Sequence, residues 1–153
     1  MIEVSRLSPH DMGERDKLAL IKFSEWDYNR RSPSDMIQGV LEGAFQMWRV
    51  SEGEGSGLLI TKVLATVGGG RTLYVEGIAG TGFVKKPKEM VKLLFDLARR
   101  GRCQSVTGWV SRPGMEKWLE QAELPLVASV FMKEIPAESE VPSAPQELAQ
   151  SPD

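Results

Sequence analysis

A short stretch rich in glycine and lysine has the spacing of an anion-binding loop. Gly80 and Gly82 flank Thr81, and Lys85 and Lys86 follow. Small residues ahead of a helix let backbone amides approach a phosphate, and the helix dipole favours negative charge there. The alternatives are structural: the glycines turn the chain tightly, and the lysines form a solvated helix start, where cations oppose the dipole.

The segment before this loop is predicted to be a β-strand. Residues 71–78 contain β-branched and aromatic side chains between two glycine clusters. Strand alternation predicts two faces, with Leu73, Val75 and Gly77 on one and Thr72, Tyr74 and Glu76 on the other.

The segment after the loop is predicted to be an amphipathic helix. Pro87 suits its first turn, and Gly101 after two arginines suits its end. Apolar side chains recur at three- and four-residue spacing: Met90, Val91, Leu94, Leu97 and Ala98. Strand, glycine loop and helix therefore form the unit that the rest of the chain supports.

The N-terminal part is predicted to be a strand followed by two helices. Residues 2–7 alternate apolar and polar side chains. Asp11 and Glu14 resemble a capping box, opening a helix with Leu18, Leu20 and Ile21 facing inward. The second helix is predicted to begin after Ser32, with Pro33 and Asp35 in its first turn, an apolar stripe and a stop: Met36, Ile37, Val40, Leu41 and Gly43.

The remaining elements complete a mixed sheet. Residues 45–50 and 58–64 are predicted to form an antiparallel hairpin across a glycine-rich connection, and the central strand extends it into a meander. After the central helix come a strand at 104–110, a short helix from Met115 that ends before Pro125, and a last strand at 127–135.

Composition excludes several kinds of site. The 153 residues suit one domain, and a net charge of −2 argues against a nucleic-acid or membrane-surface binder. Cys103 and His10 are the only residues of their types, which excludes an internal disulfide, cysteine-rich or multi-histidine metal sites and histidine triads. No apolar run reaches the roughly 20 residues of a membrane span, and no secretion signal is recognisable. We therefore expect a cytoplasmic protein without a metal.

Residues 136–153 differ in composition from the rest. They are rich in Pro, Ser, Ala and Glu and contain little that could be buried. We therefore predict a domain at 1–135 and a flexible tail at 136–153 that is disordered unless bound. The tail could carry contacts to a protein partner or to a second copy of the chain.

The order of elements resembles the GNAT acyltransferase fold over roughly residues 1–135. The likeness is greatest to divergent GNAT-like proteins of tailed phages, in which a strand ending in glycines leads to a helix with a basic end, as residues 73–80 and 88–102 do here. The resemblance implies an α/β fold, with a mixed, mostly antiparallel sheet flanked by helices. For a phage protein it also implies a location in the host cytoplasm or the virion.

The resemblance also implies a coenzyme site and a catalytic base. Active family members hold the pyrophosphate of acetyl-CoA with a loop of Arg or Gln, two residues, Gly, one residue, then Gly or Ala. Gly80 and Gly82 match its small positions around Thr81, whereas Gly77 replaces the leading Arg or Gln; Lys85 and Lys86 could supply charge instead. The family often uses a carboxylate to deprotonate the acceptor amine, and Glu76 is the candidate. Its alternative role is an exposed or ion-paired residue on the sheet.

Two functions follow from the resemblance. The first is a degenerate, non-catalytic GNAT-fold protein of a phage, acting as a virion or assembly component. It is favoured by Gly77 and by Trp118 and Leu119, which stand where the family often has a tyrosine that protonates the leaving thiolate. The alternative is an acetyl-CoA-dependent N-acyltransferase that transfers an acyl group to an amine.

Overall fold

The computed structural model describes residues 2–27, 30–80, 86–108 and 115–124. The elements in chain order are β1 (Glu3–Arg6), α1 (Glu14–Trp26), α2 (Pro33–Leu41), β2 (Gln46–Glu52), β3 (Gly55–Ala65), β4 (Arg71–Gly80), α3 (Pro87–Arg100), β5 (Ser105–Gly108) and α4 (Met115–Gln121). A 3-10 turn, Pro9–Asp11, precedes α1. The predicted order is confirmed through α4. The predicted last strand and the tail lie outside the described residues.

One five-stranded sheet, with the order β1-β2-β3-β4-β5, forms the centre of the fold. Neighbouring strands are antiparallel except for β4 and β5, which are parallel. The predicted hairpin is confirmed, and its register runs from Gln46 opposite Thr61 to Glu52 opposite Gly55. The protein therefore has the predicted mixed, mostly antiparallel α/β architecture.

The sheet separates two apolar clusters. Side chains of α1, α2 and the adjoining sheet face form one cluster: Leu7, Ala19, Leu20, Phe23, Met36, Met47, Leu58, Ile60 and Ala79. Side chains of α3 and the opposite face form the other: Val50, Leu59, Leu73, Met90, Leu94, Leu97 and Ala98. Burial of apolar area on both faces is the main stabilising contribution to such a layered fold.

Helix α3 follows the prediction closely. It begins at Pro87, all five predicted apolar residues are buried, and Gly101 is its C-terminal cap. Gly101 keeps an ordinary φ of −84°. The left-handed residue that turns the chain out of the helix is Arg102, with φ of 55°.

Helix α1 differs from the prediction in its start and its buried face. The Asp11–Glu14 capping box is wrong: the helix is capped at Gly13, whose N–H donates to the Asp16 carboxylate over 2.8 Å. Leu20 is buried as predicted, whereas Leu18 is 64% exposed and Ile21 49% exposed. The inner face contains Asp16, Ala19, Leu20 and Phe23. This face has the same helical spacing as the predicted one but is rotated around the helix.

Helix α2 begins as predicted. The Ser32 hydroxyl accepts the Asp35 N–H over 3.1 Å, and the Asp35 carboxylate accepts the Ser32 N–H over 2.7 Å. These bonds satisfy two donors that the first helical turn leaves without intrahelical partners. The hydrogen bond from the Ser32 backbone N–H is the leading cause that holds the pKa of the Asp35 carboxyl below its usual value.

A bulge in β4 divides that strand into two parts. Opposite β3, pairing passes from Thr61–Val75 directly to Ile60–Gly77, so that Glu76 is the extra residue. An extra residue reverses the alternation of side chains beyond it. Leu73 and Val75 pack in the α3-side cluster, but Gly77 lies against Phe23 of α1. The prediction that Gly77 shares a face with Leu73 and Val75 is therefore wrong.

Candidate functional site

Glu76, the bulge residue of β4, is the centre of a buried ion-pair cluster. Its side chain is 2% exposed and lies between two cations. Arg31 Nη2 donates to Oε2 over 2.7 Å, and Lys62 Nζ lies 2.7 Å from Oε1. Of the two alternatives for Glu76 on the sheet, the structure shows the ion-paired one and excludes the exposed one.

Arg31 connects Glu76 to the end of α1. Its Nε and Nη2 donate to the two Asp27 carboxylate oxygens over 2.8 and 3.0 Å, and its backbone N–H donates to Oδ2 over 3.0 Å. Such a two-pronged bond is among the stronger and more directional contacts of a guanidinium. Burial alone would lower the pKa of Arg31, but the bonds to Asp27 and Glu76 outweigh it and raise that pKa above its usual value.

Lys62 approaches Glu76 from β3. Its side chain is 30% exposed, and its ammonium lies 5.1 Å from the ring centre of Tyr74 and 5.7 Å from that of Phe45. A cation near an aromatic face is attracted by the ring's quadrupole. The ammonium thus has a carboxylate and two rings around it. The Lys62 ammonium and Glu76 Oε1 are not aligned for a hydrogen bond, so the attraction between them is electrostatic.

Sequence reasoning singled out Glu76 and did not predict its two ion-pair partners, Arg31 and Lys62. Arg31 lies between the two predicted N-terminal helices, where no functional role was predicted. A usable signal was present, because Asp27 and Arg31 are four residues apart, a common ion-pair spacing. Lys62 could not be linked to Glu76 from the pattern, since the bulge alters which residues of β3 and β4 are neighbours.

The structure describes only part of the predicted anion-binding loop. Gly80 is the last residue of β4 and is paired with Gly57 of β3. Thr81, Gly82 and Lys85 lie outside the described residues. Lys86 is exposed, and its ammonium lies 2.5 Å from a Glu52 carboxylate oxygen at the end of β2. That hydrogen bond is the leading cause that raises the pKa of Lys86 and lowers the pKa of Glu52.

The packing around Gly77 leaves no room for the Arg or Gln that the resemblance implies at this position. A Cβ built on Gly77 would lie 1.6 Å from Cε2 of Phe23. Phe23 is itself buried in the α1-side cluster. A longer side chain at residue 77 therefore has no space while Phe23 keeps its position.

An open cleft of about 500 Å³ lies between the start of α3 and α4. It is lined by Lys86, Pro87, Lys88, Glu89, Glu120, Gln121 and Glu123. Three carboxylates accompany two lysines, and Lys88 lies 3.7 Å from Glu123. The mixed charge of these residues does not mark a phosphate site.

Glu76 is the described side chain whose chemistry suits the acyl end of a thioester site. Pairing between β4 and β5 is described from Thr72–Ser105 to Val75–Gly108, and the bulge with its buried carboxylate follows immediately on β4. A carboxylate can act as a general base for an amine that comes within about 2.6–3.2 Å of it. The donor set near Glu76 contains nitrogen and oxygen groups only, and the described part of the chain has no cluster of side chains that could hold a metal.

No protein-family model matches the chain, and no curated protein matches its sequence. Its fold nevertheless matches solved structures. A transcriptional regulator from Bacillus halodurans C-125 has a TM-score of 0.60 at 12% identity, over 88% of this chain and 100% of that one. The ribosomal-protein-alanine N-acetyltransferase of Brucella melitensis biovar Abortus 2308 has a TM-score of 0.58 at 16% identity, over 89% of this chain and 100% of that one. A predicted acetyltransferase from Clostridium acetobutylicum, solved with acetyl-CoA, has a TM-score of 0.56 at 9% identity, over 88% of this chain and 96% of that one.

These likenesses confirm the GNAT fold predicted from the order of elements. They cover 96–100% of the matched chains and 88–89% of this one. They give no support to a phage origin or a virion role, which stay predictions. No helix within the described ranges has the length and apolar character needed to cross a membrane.

Proposed function

We propose that the protein is an acetyl-CoA-dependent N-acyltransferase that transfers an acyl group to an amine. The observation that carries the proposal is the buried carboxylate of Glu76 at the bulge of β4, within a GNAT fold that a Clostridium acetyltransferase solved with acetyl-CoA shares. A fold alone does not define an activity. The carboxylate supplies the group that the chemistry needs.

The coenzyme would be held ahead of α3. Backbone amides of Gly80, Thr81 and Gly82 are suited to its pyrophosphate, and Lys85 and Lys86 could add positive charge. Acetyl-CoA, when bound, supplies an acyl group activated as a thioester. Lys86 can contribute only by leaving or sharing its contact with Glu52.

Glu76 is the proposed proton acceptor. Its Oε2 is held by Arg31, which fixes the carboxylate, and Oε1 faces the Lys62 ammonium. A free amine that uses this base has to reach Oε1, because a base acts within about 2.6–3.2 Å of the donor atom. An external acceptor therefore has to displace Lys62 from that oxygen.

The first test is a calorimetric titration of the purified protein with acetyl-CoA. We expect binding in the wild type and none in Gly82→Glu, which adds bulk and negative charge to the proposed pyrophosphate loop. Gly101→Glu is the matched control, since residue 101 lies at the other end of α3 with an ordinary φ. No binding heat and an unchanged melting temperature in the wild type would refute the proposal.

A second candidate is a non-catalytic GNAT-fold component of an assembly. Two observations favour it: Phe23 fills the space of the missing Arg or Gln at residue 77, and both oxygens of Glu76 already contact cations. In this case the tail at 136–153 would bind a protein partner or a second copy. Deletion of the tail should then leave a folded domain with a smaller assembled mass by sizing chromatography with light scattering. An unaltered mass would count against the tail's role.

A further inference from the structure

Lys62 is the amine that lies nearest to the proposed base within the described residues. Its Nζ is 2.7 Å from Glu76 Oε1, inside the range of about 2.6–3.2 Å in which a general base acts. The other oxygen, Oε2, accepts from Arg31. A guanidinium stays protonated in proteins and is not a nucleophile. The nearest described amine is thus that of Lys62, which has to turn into hydrogen-bond alignment with Oε1 before a proton can pass.

The partner of Lys62 distinguishes it from other paired lysines in the described ranges. Lys17 and Lys88 pair with Glu14 and Glu123, carboxylates that are 88% and 80% exposed, and the Glu52 partner of Lys86 is 15% exposed. The Glu76 carboxylate is 2% exposed. Among these pairs, that of Lys62 has the most buried carboxylate.

The surroundings of Lys62 fix its nitrogen and leave it accessible. The rings of Tyr74 and Phe45 flank the ammonium at 5.1 and 5.7 Å. The side chain as a whole is 30% exposed, so that a reagent can approach it from solvent. This combination of a held nitrogen, a neighbouring base and an open side is what an acyl acceptor requires.

We propose that Lys62 is an acyl acceptor of its own chain, so that the protein acylates itself at this residue. The proposal rests on the proposed function, because the acyl group comes from acetyl-CoA. It narrows the substrate class to a primary alkyl amine held beside Glu76. It also assigns a modification site on β3.

The reaction balances with the groups present. The Lys62 ammonium gives one proton to Glu76 Oε1, and the free amine attacks the thioester carbonyl carbon. The new C–N bond forms as the C–S bond breaks. The nitrogen loses a second proton, the departing thiolate gains one, and Glu76 releases its proton to solvent. The products are an amide at Lys62, the free thiol and one proton.

Acylation would change the cluster around Glu76. The Lys62 amide is uncharged, so its electrostatic contact with Oε1 and its attraction to the two rings are lost. Arg31 remains as the cation next to Asp27 and Glu76. The modified chain would therefore hold Glu76 with one cation in place of two.

The test compares the rates at which individual lysines of the full chain are acetylated by acetyl-CoA, measured by peptide mass spectrometry over time. We expect Lys62 to react about 100-fold faster than Lys17, which is the lower end of a general-base contribution. Glu76→Gln should reduce the rate at Lys62 to that at Lys17, and Lys17→Arg should leave it unchanged. Excess free coenzyme A should protect Lys62, and acetyl phosphate should label exposed Lys17 ahead of it.

Lys62→Arg is a second variant that keeps the positive charge beside Glu76, so that the test does not depend on the folding of Glu76→Gln. We expect it to retain its melting temperature and its binding of acetyl-CoA while the rapid acetylation disappears. Wild-type protein that binds acetyl-CoA and acetylates n-butylamine, yet labels Lys62 no faster than Lys17, would overturn the self-acylation and leave the proposed function standing. Absence of acetyl-CoA binding would overturn both.

Discussion

The ring of Phe23 occupies the space that a side chain on Gly77 would need, with Cε2 only 1.6 Å from the position of a Cβ. Phe23 belongs to α1 and Gly77 to β4, so the contact joins the first helix to the strand beside the bulge. Packing of Phe23 from α1 thereby restricts residue 77 to glycine. Coenzyme binding, if present, has to work without a side chain there.

Gly77→Ala should destabilise the protein. The added methyl group must displace the Phe23 ring, and overpacking of this kind costs about 1–3 kcal/mol. Urea unfolding should therefore show a lower midpoint. Gly101→Ala is the control, because its new Cβ would meet its nearest atom at 3.5 Å and its φ is ordinary. Equal midpoints for the two variants would contradict the close packing.

Much of the fold could be predicted because its strongest signals are local. The apolar stripe of α3 and the Ser32–Asp35 cap depend on residues within a few positions of one another, and both are confirmed. The predicted buried face of α1 was wrong, because the rotation of this helix is determined by Asp16, whose partner Arg49 is 33 residues away. A period of 3.6 residues predicts a stripe, and long-range contacts decide where the stripe lies.

Stability should depend on pH through Asp16. Burial opposes its ionisation, but hydrogen bonds from Arg49 and from the Gly13 N–H outweigh it and hold the pKa below the usual 3.8. Because the folded pKa is the lower one, the stabilisation is complete above the unfolded value and is lost as pH falls through the folded value. Asp16→Asn should cost about 2 kcal/mol at neutral pH, and the difference from wild type should shrink below about pH 4.

Urea midpoints of wild type and Asp16→Asn across this pH range check the prediction. Glu14→Gln is the matched control on the same helical turn, since the Glu14 carboxylate is 88% exposed. An exposed pair of this kind contributes about 0–1 kcal/mol. A difference between wild type and Asp16→Asn that stays constant with pH would contradict the assigned role.

Arg31→Leu should be among the more destabilising single substitutions. It removes the guanidinium from Asp27 and Glu76, two carboxylates that are each 2% exposed. Loss of one partner from a buried pair costs about 3–5 kcal/mol. Arg99→Leu breaks an exposed pair with Asp96 and should cost well under about 1 kcal/mol. Thermal unfolding of both variants gives the comparison, and similar losses would refute it.

Lys86 and Glu52 should affect acetyl-CoA affinity in opposite directions. Lys86→Met removes a cation near the proposed phosphate loop and should weaken binding several-fold at low salt. Glu52→Gln removes the carboxylate that holds Lys86 and should strengthen the binding of acetyl-CoA. Calorimetric titrations at two salt concentrations test both, with Lys17→Met as the control. Equal affinities in the Lys86 and Glu52 variants would show that Lys86 does not contribute.

The candidate site could be predicted only in part. Glu76 was found because a carboxylate on the strand before the glycine loop is expected from the resemblance. Its two partners come from the residues before α2 and from β3, and Asp27 at the end of α1 holds one of them, Arg31. Their meeting with Glu76 depends on the bulge in β4. A bulge needs one unpaired residue and has no obligatory sequence. The residues around Glu76 therefore became visible only in the folded chain.

The contacts of Arg31 predict a pattern for the hydrogen exchange of backbone amides in this protein. One guanidinium contacts Asp27 after α1 and Glu76 on β4, and its own backbone leads into the cap of α2. Opening any one of these segments breaks contacts of the other two. Backbone amides at the end of α1, at the start of α2 and around the bulge should consequently exchange as one cooperative unit, although they are distant in sequence.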